Sequence, residues 1–141
     1  MVLLVGLPGS GKTTYVEKLG ATLASDEIRR LLSDDSENQN IHQRVFAVLR
    51  DLLKQRIELG RPITYIDATN LTPYERRPYI ELAKNYDCDV DAIFFDVAVD
   101  ECQRRNRGRH RVVPDDVIAQ MAGRLVPPTV DEGFRRVMVV T

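Results

Sequence analysis

Eight consecutive residues constrain this chain more than any others: Gly6-Leu7-Pro8-Gly9-Ser10-Gly11-Lys12-Thr13 fits the pattern G-x-x-x-x-G-K-[ST] at every position. Each position has a physical task. Glycines let the backbone take turns closed to other residues and bring its N–H groups close to phosphate oxygens. A helix that starts at the loop's end points its positive pole at the same phosphates. The loop works only between a strand and a helix. Val2-Leu3-Leu4-Val5 before it reads as a buried strand, and Lys12 to Leu19 after it reads as a helix that stops near Gly20. The expected phosphate ligands are Gly9, Ser10, Gly11, Lys12, Thr13 and Thr14, with Lys12 reaching the β- and γ-phosphates and the Thr13 hydroxyl on Mg²⁺.

The remaining pattern alternates. Short apolar runs at Thr22–Ser25, Ile63–Ile66, Val90–Phe95 and Val137–Val140 predict four more strands. Helical periodicity or helix-start chemistry falls between them: from Asp26, over Ile41–Leu59, from Pro73 to about Tyr86, over Asp100–Asn106, and from Pro114, where Asp115 and Asp116 suit the first turn. Ser33–Asn40 reads as a polar connector. Alternation of this kind predicts an α/β fold, a parallel sheet with helices on both faces, in one domain over 1–141.

Composition narrows the function classes. A net charge of −1 and a pI of about 6.1 argue against a wide nucleic-acid footprint. The two cysteines, Cys88 and Cys102, lack C-x-x-C spacing, and with His42 and His110 they form no zinc pattern. They read as thiols of a reducing compartment, and the apolar start of the chain is too short to span a membrane, so a cytoplasmic protein is expected.

Open parallel sheets present ligands beyond the C-terminal ends of their strands. Asp26 follows the second predicted strand and Asp67 the third. Asp26 and Arg29, three apart at a helix start, share a face. An acid there suits a general base toward a hydroxyl, and an arginine suits an acceptor phosphate; equally, the pair fits a helix-start acid beside a surface cation. Asp67 suits either a water-mediated hold on Mg²⁺ or a turn with Thr69 and Asn70.

Arg104, Arg105, Arg107, Arg109 and Arg111 crowd one stretch broken by Gly108. Its place between two helices suggests a lid over about 104–113 rather than a solvated run. An arginine closing on the phosphates would offset charge in a loose phosphoryl transition state.

Taken together, GLPGSGKTTY, SDEIRRLLSDD, IDATNLTPYERRPYIELAK, RRNRGRHR, VPDDVIAQM and PPTVDEGF resemble the 5′-hydroxyl polynucleotide kinases of the phage and bacterial end-repair type, over nearly the whole chain. The resemblance implies the adenylate-kinase-like P-loop fold, ATP and Mg²⁺, and the 5′-OH end of RNA or DNA as acceptor. It implies Asp26 as general base, Arg29 on the acceptor's terminal phosphodiester, and Lys12 and Thr13 as the ATP and Mg²⁺ residues. Arg109 best matches the arginine that clamps the ATP phosphates, with Arg107 and Arg111 as alternates. Relatives often carry a phosphatase or ligase domain, so such a partner, as domain or separate protein, is expected. The competing reading is a small-molecule kinase of the same superfamily, acting on a nucleoside, sugar or antibiotic. The absence of N-K-x-D argues against a guanine-reading switch.

Overall fold

A computed structural model describes residues 1–109 and 112–141. Among these, five strands form one parallel sheet: β1 (Val2–Val5), β2 (Thr22–Ala24), β3 (Tyr65–Asp67), β4 (Asp91–Phe95) and β5 (Val137–Val140). Their order across the sheet is β2-β3-β1-β4-β5. β1 lies in the middle, pairing with β3 (Leu3 opposite Ile66) and with β4 (Leu4 opposite Ile93). The strand that carries the glycine loop is therefore flanked on both sides, and its C-terminal end opens where the connections diverge to opposite halves of the sheet.

Helices α1 (Lys12–Val16), α2 (Ser25–Ser33), α3 (His42–Glu58), α4 (Pro73–Asn85), α5 (Val99–Arg107) and α6 (Asp115–Arg124) make the crossovers, with a short 3₁₀ turn at Val130–Glu132. Successive strand residues point to opposite faces. Leu3, Ile66 and Ala92 pack with Ile28 of α2, Val45, Leu49 and Leu53 of α3, and Tyr79, Ile80, Leu82 and Ala83 of α4. On the other face Leu4, Ile93 and Phe95 meet Val16 of α1. A third cluster, Leu7, Leu71, Cys102 and Ile118, ties α5 and α6 to the loops at the C-terminal ends of β1 and β3. That cluster sets α5 against the glycine loop.

The expected elements are present, with local shifts at their boundaries. The helix after the loop ends at Val16, short of Leu19. The third strand begins at Tyr65 rather than Ile63, because β1 enters the pairing with Val2 donating to the Thr64 carbonyl and facing Tyr65, which leaves Ile63 half exposed beyond the sheet edge. This shift puts Asp67 inside the strand instead of after it. Ser25 belongs to α2, so Asp26 sits in that helix's first turn. Arg104–Arg107 are the last turn of α5, which leaves the connection to α6 to begin at Gly108. His110 and Arg111 lie outside the described residues.

Candidate active site

The glycine loop leaves β1 and turns through Gly9 (φ +83°) and Gly11 (φ +100°), both in the left-handed region that favours glycine. Gly9 is needed for a second reason: a Cβ there would stand 2.4 Å from the Cys102 carbonyl oxygen, so α5 rests directly on the loop's backbone. Lys12 folds back over the loop and donates to the carbonyls of Gly6 and Leu7, both at 2.9 Å. Burial pushes its pKa from 10.5 down to about 8; Asp67 pulls it up, Arg109 pulls it down, and Asp26 pulls it up more weakly. Three of the residues expected at the site, Asp67, Arg109 and Asp26, therefore act on the charge of a fourth, Lys12.

Thr13 Oγ1 donates to Asp67 Oδ2 at 2.7 Å, joining the end of the glycine loop to the end of β3. Asp67 is buried. A hydroxyl and a carboxylate held together beside the phosphate loop form a hard oxygen corner of the kind a magnesium ion takes alongside phosphate oxygens. Ser10 Oγ is buried and has no hydrogen-bond partner among the described residues. Such an orphan is rare in a finished interior. The left-handed glycines, the buried ammonium and the orphaned hydroxyl all fit a polyphosphate. Thr14 follows on the first turn of α1, and its side chain is exposed.

On the other side of the corner, Arg29 NH1 donates to Asp26 Oδ1 at 3.1 Å. Arg29 is buried, while the Asp26 side chain is 45% exposed and reachable by solute. Residue spacing on α2 is the cause, since i and i+3 share a face. The structure thus joins the two residues that spacing suggested. It adds His42, whose Nδ1 stands 3.4 Å from Arg29 NH2 and whose pKa is lowered, first by burial and then by the Arg29 charge.

The arginines separate into distinct environments. Arg104 and Arg105 both bond Glu101, which holds that carboxyl down to about 2. Arg105 also reaches the Ser10 carbonyl at 3.4 Å. Arg107 pairs with Asp115 at the start of α6. Arg109 is the one whose charge opposes that of Lys12. Arg111, an alternate for the clamp, lies outside the described residues.

Sequence reasoning did not single out Asn106, Arg76 or Glu132. Asn106 is fully buried and makes two bonds to the backbone of Val113, donating to its carbonyl and accepting from its N–H at 3.0 Å. This clasp closes the root of the segment that carries Arg109. Arg76 is equally buried and pairs with Glu132. An inward polar residue on a helix is the only sequence signal for either, and it does not name the partner. Among the described residues no group of three or more His, Cys, Asp or Glu side chains clusters as a metal site, and no helix is long and apolar enough to cross a membrane.

The chain is 25% identical over 143 aligned residues to the bifunctional polynucleotide phosphatase/kinase of Schizosaccharomyces pombe, covering 97% of this chain and 32% of that protein. It thus spans about a third of the curated relative's length. In fold it is similar to a chain of the Pnkp1/Rnl/Hen1 RNA repair complex, with a TM-score of 0.74 at 21% identity over 88% of this chain and 43% of the other. It is also similar to a gluconokinase from Sinorhizobium meliloti 1021, with a TM-score of 0.66 at 16% identity over 99% of this chain and 80% of the other. The fold is that of the P-loop kinases. A family model described as AAA domain matches residues 1–128, which include the glycine loop, the Thr13–Asp67 corner and the whole arginine-rich segment, and the chain belongs to that family.

Proposed function

We propose that this chain is an ATP-dependent polynucleotide 5′-hydroxyl kinase domain, a single module over 1–141 that works in the cytoplasm. The observation that carries the reading is the Asp26–Arg29 pair, a half-exposed carboxylate hydrogen-bonded to a buried guanidinium within electrostatic reach of Lys12. The likeness to the phosphatase/kinase supports it. Gly9, Ser10, Gly11, Lys12, Thr13 and Thr14 hold the ATP phosphates. Thr13, with Asp67 behind it acting through water, would hold Mg²⁺, which when bound supplies positive charge against the phosphate oxygens. Asp26 accepts the proton of the 5′-hydroxyl as its oxygen bonds the γ-phosphorus and the bond to the β-phosphate oxygen breaks, releasing ADP. Arg29 grips the phosphodiester on the 3′ side of the same nucleotide, and Arg109 with Lys12 offsets charge on the transferring group. A phosphatase or ligase partner, as domain or protein, belongs to the same proposal.

A small-molecule kinase is the second reading, favoured by the likeness to a gluconokinase over most of that chain's length. The test is incubation with Mg²⁺ and γ-labelled ATP on 5′-OH RNA and DNA oligonucleotides beside nucleosides and sugars, with Asp26→Asn as control. Label on the oligonucleotides that disappears in the variant is the expected result. Label confined to a small molecule replaces the acceptor assignment and keeps the phosphate chemistry.

A further inference from the structure

The stretch Asp67–Asn70 is held at both ends. At one end Asp67 accepts from Thr13. At the other, buried Asn70 adopts φ +48° and donates Nδ2 to the Leu4 carbonyl at 2.8 Å, while Gly6 N–H donates to the Thr69 carbonyl at 3.1 Å. The loop that carries the metal-corner carboxylate is thereby laced to the strand end from which the glycine loop departs. Asn70 has a carbonyl of its own to satisfy, and Arg76 NH1 donates to it at 2.9 Å.

Arg76 is fully buried, and its other two nitrogens are committed elsewhere: Nε to Glu132 Oε1 at 2.9 Å and NH2 to Glu132 Oε2 at 3.0 Å. A bidentate fork fixes a guanidinium in plane as well as in position. Glu132 is itself fixed, because its carboxylate also accepts the Thr129 N–H at 3.0 Å in a capping box that closes the 3₁₀ turn. The chain of contacts runs from that turn through Arg76 and Asn70 to the corner. The turn lies beyond residue 128, where the family match ends.

We propose that Arg76 and Glu132 are positioning residues for the Thr13–Asp67 corner, so that the turn at Val130–Glu132 sets how well the site couples Mg²⁺ to nucleotide. The proposal rests on the Mg²⁺–nucleotide part of the function above and is independent of which acceptor is used. Removing one partner would strand a buried charge, whereas replacing both by apolar groups leaves none. The informative protein is therefore the double variant Arg76→Met/Glu132→Leu, which empties the fork and leaves the Asn70 carbonyl without its donor. Its melting temperature is measured together with its equilibrium affinity for a fluorescent ATP analogue, in Mg²⁺ and in EDTA, with no acceptor present. The expected result is a folded protein whose melting temperature is lowered by the unsatisfied Asn70 carbonyl and Thr129 N–H, with unchanged affinity in EDTA. The tightening that Mg²⁺ gives should shrink by about 10- to 100-fold, as when an outer support of a metal ligand is lost. A double variant that folds cooperatively and keeps the full Mg²⁺ effect overturns the proposal. Should the double variant not fold, Glu132→Asp, which keeps the charge that balances Arg76 and draws the carboxylate back by one methylene, enters the same titration, and an unaltered Mg²⁺ effect there overturns it too. A parent protein that shows no Mg²⁺-dependent nucleotide binding sinks the proposed function itself, a different result from either.

Discussion

At the scale of single residues the chemistry centres on Lys12. Its ammonium is buried and its pKa is lowered from 10.5 to about 8 mainly by that burial. Phosphate oxygens at the loop would favour the charged form. Nucleotide binding at about pH 9 should then take up close to one proton, and affinity should fall as pH rises above about 8. Calorimetry in two buffers of different ionisation enthalpy reads this directly, and identical binding heats would contradict it. The same shift gives a stability effect of definite sign. In the nucleotide-free protein the unfolded chain binds the proton more tightly, so the burial penalty of about 3 kcal/mol is present below pH 8 and is relieved as pH rises toward 10.5. Arg29→Ala tests the acceptor side. It should lower kcat/KM on 3′-phosphorylated acceptors by about 100-fold, through the lost charge-assisted hydrogen bonds, while ATP affinity without acceptor stays within about 3-fold.

At the scale of elements, α5 and the connection to α6 decide where Arg109 stands. Asn106 reads in sequence as one more polar residue in an arginine run. Its burial and its two bonds to Val113 make it the clasp at the root of that connection. Asn106→Ala should leave the Val113 N–H and carbonyl unsatisfied, at about 1–3 kcal/mol of stability, and lower kcat with Arg109 no longer held toward Lys12. Hydrogen exchange reports the local part, since the Val113 amide should exchange faster while amides of β1 and β4 slow or quicken only with global stability. The arginine run itself illustrates the limit of pattern reading. Four like side chains, Arg104, Arg105, Arg107 and Arg109, end up with Glu101, the Ser10 carbonyl, Asp115 or the Lys12 environment, and only helix packing sorts them.

At the scale of the whole molecule, the N-terminal edge of the sheet is closed by Asp91, which is buried and accepts from Arg135 and Arg136 and so ties β4 to the entry of β5. Those bonds, Arg135 first, hold its carboxyl below its ordinary 3.8 against the cost of burial. A carboxylate lowered in the folded state stabilises above its unfolded pKa, and that contribution disappears as pH falls through the folded value. The parent should therefore lose stability on acidification below about pH 4 more steeply than Asp91→Asn, which forfeits the contribution at every pH. Urea unfolding of both proteins at neutral and acid pH compares the two slopes, and parallel curves would remove Asp91 from the account.

The sequence by itself determined what local chemistry dictates. The glycine loop, the strand before it and the helix after it were legible because the pattern spans only eight residues and each has a fixed geometric duty. Strand and helix alternation prescribed a parallel sheet, and i, i+3 spacing put Asp26 beside Arg29 before any coordinates. Tertiary structure alone decided the contacts that close the site. Thr13 and Asp67 are 54 residues apart, and Arg76 and Glu132 are 56 apart. No periodicity links such partners, because their meeting depends on β1 lying between β3 and β4 and on a 3₁₀ turn reaching back to α4. The boundary shift that drew Asp67 into β3 has the same origin: strand ends follow the register of the neighbouring strand, which is a property of the sheet rather than of the segment.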